Sequence, residues 1–141
     1  MLSFFVPGRP APQGSKRQVR GRFIEASKYL PAWRKVVTEY AIYASAENDW
    51  ECLSGPVELQ VAFYLERPKS ISANKRPQPI VPPDVDKLCR AIGDSLSDAG
   101  VWDDDSQVVK LVAFKRYADD HDTGAFISAS PYDTPEHGLQ L

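Results

Sequence analysis

Two aspartates lie two positions apart in the segment PPDVDK, residues 82–87, and their spacing is the first candidate for chemistry. Pro82 and Pro83 favour an extended backbone on the approach to Asp84. Asp86 is then expected to be the N-cap or a first-turn residue of the helix that follows. Both carboxylates can face one point in that geometry. A hard divalent cation such as Mg²⁺ could bind there, because it needs only one or two protein carboxylates besides water and a substrate phosphate.

Helix capping is the ordinary alternative for these two aspartates. An aspartate at the N-cap stabilises a helix by about 1 kcal/mol without any metal. Capping accounts for one of the pair, whereas the second would gain only the smaller attraction to the helix dipole. A run of three aspartates at 103–105 follows the helix directly, and one or two of them could return to the same point. Spacing alone therefore leaves two interpretations open, a metal site and a set of solvated acids.

Other catalytic chemistries find little support in the chain. His121 and His137 fall in a predicted turn and in the tail, and neither a glycine-rich phosphate loop nor a G-x-S-x-G segment occurs. Cys89 lies on an apolar helical stripe, which predicts a small buried side chain in a reducing compartment. We expect a cytoplasmic protein without a signal peptide, and no stretch approaches the roughly 18 apolar residues of a membrane span.

Basic residues are concentrated in two parts of a chain whose net charge is −2. Residues 1–35 hold eight Lys and Arg against one acid, and residues 67–90 hold six against two. The local field matters more than the total charge when a phosphate is attracted. A nucleic-acid-binding face is therefore compatible with the composition, and the alternative is a solvated surface with uneven charge.

The predicted elements form an α+β domain, with a mixed or mainly antiparallel sheet flanked by two main helices. The strands are expected at 2–6, in a hairpin over 17–26, at 56–67, at 108–117 and at 125–130, and the last two most simply form an antiparallel pair.

The two helices are expected over about 31–47 and from Asp86 to a cap at Gly100. The proline-rich segment 67–83 can be neither a helix nor a central strand, so it is predicted to be a long loop. A single domain over 1–132 with a flexible tail at 133–141 follows from these elements.

Two blocks of the chain resemble the RusA family of Holliday-junction resolvases, which are small endonucleases common in phages and prophages. The run PPDVDKLCRAIGDSLSDAGVWDDDSQVV has the family's D-x-D pair at the start of a helix and its D-[AS]-L…G…DD…QV pattern. The run VPGRPAPQGSKRQVRGRFIEASKYLPAWRKVV resembles the family's P-G-x-P-x-P-(K/Q)-x-R-x-R opening. The two blocks lie within residues 5–37 and 82–115.

The resemblance implies a site residue by residue. The metal-binding carboxylates would be Asp84, Asp86 and Asp105, with Asp104 as a neighbour able to assist. The family's helix lysine corresponds to Arg90, and the asparagine that usually follows the acidic pair corresponds to Lys87. Arginine keeps the charge of the lysine but cannot donate a proton and has a different reach. The catalytic set would therefore be the three carboxylates and Arg90, with Lys87 as the other candidate for the active-site cation.

The activity that the resemblance implies is Mg²⁺-dependent resolution of four-way DNA junctions by paired phosphodiester hydrolysis, with Mn²⁺ able to substitute. The partners would be branched DNA and a second copy of the chain in a homodimer, in the cytoplasm of a bacterial host. A nuclease for forks or flaps, or a non-catalytic branched-DNA-binding module, is the alternative. The residues expected to bind DNA are basic, namely Lys16, Arg17, Arg20, Arg22, Lys69, Lys75, Arg76 and Lys87.

Overall fold

The computed structural model of the chain describes residues 1–14, 16–25 and 27–133. Its strands and helices, in chain order, are β1 (Leu2–Pro7), β2 (Lys16–Val19), β3 (Arg22–Glu25), α1 (Leu30–Glu47), β4 (Val57–Leu65), α2 (Val85–Asp98), β5 (Val108–Tyr117) and β6 (Gly124–Pro131). A short 3₁₀ helix, Asp105–Gln107, joins α2 to β5. The α+β prediction is confirmed, whereas the predicted tail lies outside the described residues from position 134 onwards.

The main sheet has the strand order β1-β6-β4-β5. Strand β6 is antiparallel to both β1 and β4, while β4 and β5 are parallel. The predicted antiparallel pairing of 108–117 with 125–130 is therefore wrong. The chain passes from β4 to β5 through α2, and a helical crossover returns the next strand in the parallel direction. Strand β5 consequently forms an edge beside β4, and β6 lies on the other side of β4.

A separate two-stranded sheet is formed by β2 and β3. Arg20 and Gly21 connect them with φ values of 48° and 78°, which is the left-handed backbone that a two-residue hairpin turn requires. The predicted hairpin is confirmed.

One hydrophobic core joins the sheet to both helices. Alternate residues of β4 are buried, and the helices contribute apolar stripes at helical spacing. The fully buried members of these stripes include Trp33, Val37 and Ala41 of α1 and Leu88, Ile92 and Leu96 of α2. No helix among the described residues is long and apolar enough to cross a membrane.

The two ends of α2 are determined by local backbone chemistry. Asp84 precedes the helix in an extended conformation, with φ −70° and ψ 141°. At the other end Gly100 has φ 76°, and the amides of Gly100 and Val101 donate to the carbonyls of Ser97 and Leu96. This pair of bonds closes a helix through a left-handed glycine. The predicted extent of the helix is confirmed to within a residue or two.

The long loop between β4 and α2 has neither helix nor strand, as predicted. It is held in place by Arg67, whose guanidinium donates twice to Asp119 at 2.8 Å. The same guanidinium donates to the carbonyl oxygen of Arg76 at 2.5 Å. The loop is therefore folded against the end of β5 and leads the chain back to the start of α2.

Candidate active site

Asp84 occupies the N-cap position of α2 without acting as a cap. Its side chain makes no capping hydrogen bond to the helix. The carboxylate is 56% exposed, and its Oδ2 lies 3.7 Å from Nζ of Lys87. The capping alternative therefore does not use this carboxylate, which stays available beside a cation at the positive end of a helix dipole.

Asp86, Arg90 and Asp94 follow one another at intervals of four residues along α2. Residues four apart lie on the same face of a helix, and Asp86 and Arg90 are exposed there. Asp94 was not among the predicted site residues. The signal that points to it is this helical spacing, which continues the line from the acidic pair by two turns.

Asp105 lies against the same helix, at Gly93 and Asp94. A Cβ atom placed on Gly93 would be 3.5 Å from both Cβ and Oδ2 of Asp105. The pKa of Asp105 is raised above its ordinary range, first by burial and then by the negative charges of Asp104 and Asp94. A hydrogen bond with the Asp94 carboxyl acts in the same direction. The fold thus presses two carboxyl groups together that are eleven positions apart in the sequence.

The other two aspartates of the run at 103–105 have local roles. Asp104 is the N-cap of the 3₁₀ helix, where its carboxylate accepts a hydrogen bond from the Ser106 amide at 2.9 Å. Hydrogen bonds from the Ser106 side chain and from the Ser106 amide lower the pKa of Asp104. Asp103 accepts a hydrogen bond from the thiol of Cys52 at 3.3 Å. Of the three aspartates, Asp105 is therefore the one that packs against α2.

The loop after β1 contacts this acidic face through Gln13 and Gly14. The side-chain amide of Gln13 donates to Oδ2 of Asp94, and its backbone amide donates to the carbonyl oxygen of Lys87 at 3.0 Å. A Cβ atom on Gly14, whose φ is +93°, would be 3.2 Å from Cζ of Arg90. The amino-terminal loop and the Arg90 guanidinium are therefore in direct contact.

Lys115 holds the backbone that precedes Asp84. From the edge strand β5, its ammonium donates to the carbonyl oxygens of Val81 and Pro83, both at 2.8 Å. The second carbonyl belongs to the residue directly before Asp84. Sequence reasoning missed Lys115, because a lysine in a strand shows no local sign of a contact with a loop about thirty positions earlier.

The three carboxylates named by the resemblance are divided between two places on α2. Asp84 and Asp86 belong to its first turn, whereas Asp105 contacts Gly93, roughly 10 Å further along the helix axis. Within residues 1–14, 16–25 and 27–133, no three His, Cys, Asp or Glu side chains form a group that could hold a metal ion. The acids therefore lie at two places along α2, with Asp84 and Asp86 at its start and Asp94 beside Asp105 at its third turn.

The structure describes the side chains of five of the eight residues expected to bind DNA. The side chains of Lys16, Arg17 and Arg22 lie outside the described part of the structure. Arg20, Lys69 and Lys75 are exposed, whereas Arg76 donates to the Tyr117 hydroxyl at 2.9 Å and so has a structural partner.

Cys89 is 7% exposed in the core, as predicted. Burial, with a smaller contribution from the charge of Asp86, raises the pKa of its thiol to about 11. A thiol with so high a pKa is unreactive at neutral pH, so Cys89 is no nucleophile.

Comparison with known proteins identifies the family of the chain. The chain is 32% identical over 131 residues to the uncharacterized protein YqaN of Bacillus subtilis (strain 168), and the alignment covers 84% of this chain and 89% of that protein. The family model described as endodeoxyribonuclease RusA matches residues 7–128, a range that contains the Lys and Arg residues of both basic segments, all of α2 and the aspartates beside it. The chain therefore belongs to the RusA family of Holliday-junction endodeoxyribonucleases.

Proposed function

We propose that this protein is a Mg²⁺-dependent endodeoxyribonuclease that cuts four-way DNA junctions at paired phosphodiesters, as a homodimer in the cytoplasm of a bacterial host. The observation that carries the proposal is the Asp84 carboxylate, which stands at the start of α2 and is not used for capping. Membership of the family supplies the reaction class. Paired cuts on two strands suit a dimer with two-fold symmetry, because a four-way junction has an approximate two-fold axis of its own.

The donor set fits Mg²⁺, although the fit is to pairs of carboxylates and not to a closed cage. Mg²⁺ binds through one or two protein carboxylates and keeps water and substrate phosphate as its other ligands. Asp84 and Asp86 would hold it at the first turn, and Asp105 with Asp94 could do so beside Gly93. When bound, the ion supplies an activated water and stabilises the leaving 3′ oxygen. Mn²⁺ offers the same ligand preferences and could substitute.

The side chains around the carboxylates would prepare the DNA for that chemistry. Lys87 and Arg90 place positive charge on α2 next to the acidic pair, where negative charge develops on the phosphate. The amino terminus of α2 adds the partial positive charge of the helix dipole. Gln13 and Lys115 would act as positioning residues, because the first is hydrogen-bonded to Asp94 and the second holds the carbonyl before Asp84.

A non-catalytic module that binds branched DNA is the second candidate function. The observation that favours it is the division of the described acids into two pairs with no group of three suited to a metal. A nuclease that prefers forks or flaps would use the same residues as a junction resolvase, so its distinction from the first proposal lies in the substrate alone.

One assay separates these functions. The purified protein is incubated with a four-way junction, a fork and a plain duplex, each with Mg²⁺ and each with EDTA. The first proposal expects symmetric cuts near the branch point of the junction, with Mg²⁺ only and with little cutting of the duplex. Binding of the junction without cuts in Mg²⁺ or Mn²⁺ would favour the module, and preferential cutting of the fork would favour the other nuclease.

A further inference from the structure

A cleft of about 730 Å³ opens beside Asp84 and Lys87. It lies at the end of the sheet where the parallel strands β4 and β5 finish, and Leu65 and Tyr117 at those ends line it. Sheets with parallel strands commonly bind ligands beyond the carboxyl ends of those strands. The volume falls within the roughly 300–1,000 Å³ of small-molecule sites, so it has room for one nucleotide.

The charges lining the cleft favour an anion. Four cations line it, Arg9, Arg67, Lys69 and Lys87, against the two acids Glu66 and Asp84. Arg67 is neutralised by Asp119 at 2.8 Å, and Lys87 lies 3.7 Å from Asp84. Arg9 and Lys69 have no acidic partner among the described residues. Within the described part of the chain, the unpaired charges at the cleft are therefore the two cations Arg9 and Lys69 against the single acid Glu66. The surplus is positive, and phosphate groups are natural partners of such cations.

Two tyrosines line the cleft, and they differ in exposure. Tyr117 is 9% exposed; the Arg67 guanidinium covers its ring at 4.1 Å, and Arg76 donates to its hydroxyl. Tyr29 is 39% exposed, and Cζ of Arg9 lies 3.6 Å from the centre of its ring. The Tyr117 wall is thus fixed on both sides, whereas the stack of Arg9 on Tyr29 offers an accessible planar surface. Aromatic rings and guanidinium planes are the surfaces on which proteins hold unstacked bases.

We propose that the cleft binds one unstacked nucleotide of the DNA strand that the site at Asp84 is proposed to cut. Its base lies against the Arg9–Tyr29 stack, and its phosphates contact Lys69 and Lys87. This inference rests on the proposed function, since it concerns the same DNA strand, and it adds a base-binding subsite to it. A junction is suited to such a subsite, because nucleotides at a branch point lose part of their stacking and cost less to extrude.

The test combines an abasic scan of the DNA with variants of the stack. A four-way junction carries a single abasic residue at each of three positions on either side of the branch point, and its affinity is measured by fluorescence anisotropy in EDTA. The wild-type protein is expected to lose about 10-fold in affinity at one position, since stacking of one base on an aromatic ring contributes on that order. Tyr29→Ala is expected to lose a similar factor on the intact junction and nothing more on the abasic one.

Three controls keep the test specific. Tyr29→Phe retains the ring and should bind as the wild type does. Tyr43→Ala removes a tyrosine of α1 that is 67% exposed and does not line the cleft, and it should leave affinity unchanged. Arg9→Gln covers the case in which Tyr29→Ala does not fold, and it should reproduce the loss of sensitivity to the abasic residue.

The outcomes separate this inference from the proposed function. Equal affinity for every abasic junction, or losses from Tyr29→Ala and the abasic residue that multiply, would overturn the subsite while junction binding and Mg²⁺-dependent cutting stand. A wild-type protein that fails to bind the intact junction would overturn both. Because affinity is measured without metal, a defect in cleavage alone does not affect the result.

Discussion

The first and third turns of α2 both carry aspartates on one face, but the fold treats these aspartates differently. At the first turn, Asp84 and Asp86 are exposed and Lys87 lies beside the acidic pair. At the third turn, Asp94 and Asp105 contact each other, and burial together with mutual repulsion raises the pKa of Asp105. At the third turn another segment contacts a carboxylate directly, through the hydrogen bond that the Gln13 side chain donates to Asp94.

The difference shows two ways of keeping a carboxylate ready for a cation. The first-turn pair is simply left uncommitted, at the end of a helix where negative charge is favoured. The third-turn pair is held close by packing at a cost in free energy, because like charges at short distance disfavour ionisation of both groups. Such a pair gains most when a cation arrives, and this is consistent with the proposal that Asp105 and Asp94 hold Mg²⁺ beside Gly93.

The largest expected effect tests the first turn. Asp86→Asn should lower the rate of junction cleavage by on the order of 100-fold or more, because it removes a proposed metal ligand. Junction binding should stay near wild type or become tighter, since one negative charge facing the phosphates is lost. Cleavage with Mg²⁺ and a gel-shift measurement check the two halves. Asp98→Asn is the matched control, an exposed aspartate of the same helix whose partner is Arg34. Normal cleavage by Asp86→Asn would move the reaction away from this turn.

The next largest effect, roughly tenfold on cleavage, is expected at Lys115, which holds the backbone before the first turn of α2. Lys115→Met keeps the aliphatic stem but loses both hydrogen bonds to the carbonyls of Val81 and Pro83. Hydrogen bonds of charged groups contribute about 1.5–3 kcal/mol each, so a looser Asp84 should lower cleavage roughly tenfold and raise the Mg²⁺ concentration needed for half-maximal rate. Lys110→Met, on the same strand and paired with Glu58 at 3.0 Å, is the control. An unchanged Mg²⁺ titration in Lys115→Met would show that Lys115 does not position Asp84.

The cation between the two turns should tolerate a conservative change. Arg90→Lys keeps the positive charge and substitutes the residue that the family prefers at this position, so cleavage is expected at or above the wild-type rate. Initial rates at saturating Mg²⁺ measure the effect. Complete loss of cleavage would mean that this protein depends on the two-pronged geometry of the guanidinium.

The smallest expected effect is a change in melting temperature, and it tests the third turn of α2. The raised pKa of Asp105 means that the folded protein binds this proton more tightly than the unfolded chain does. The stability associated with the protonated carboxyl is present at low pH and is lost as pH rises through the folded pKa. Asp105→Asn should therefore raise the melting temperature of the metal-free protein by a few degrees at pH 7 and by less at about pH 4. A lower melting temperature for Asp105→Asn at pH 7 would contradict the proposed repulsion.

Predictability from sequence was greatest where the physics is local. The extended Asp84, the start of α2 and the glycine that ends it follow from proline sterics and capping, which act over a few residues. The β2–β3 hairpin and the long proline-rich loop were predicted for the same reason. The pairing of β5 was not, because two neighbouring strands in sequence pair antiparallel by default and only the crossover through α2 decides otherwise.

The candidate site also divides into features that follow from local sequence and features that depend on tertiary contacts. The sequence by itself determined that an acidic pair opens α2, that Asp86, Arg90 and Asp94 share a face, and that the cations cluster in two segments, because helical period and composition need no partner. Only the tertiary structure decided that Asp105 meets Asp94, that Gln13 reaches the same carboxylate across 81 positions, and that Lys115 holds the backbone before Asp84. These contacts join elements that are distant in the chain, and such contacts are selected by the packing of the whole core and not by any segment alone.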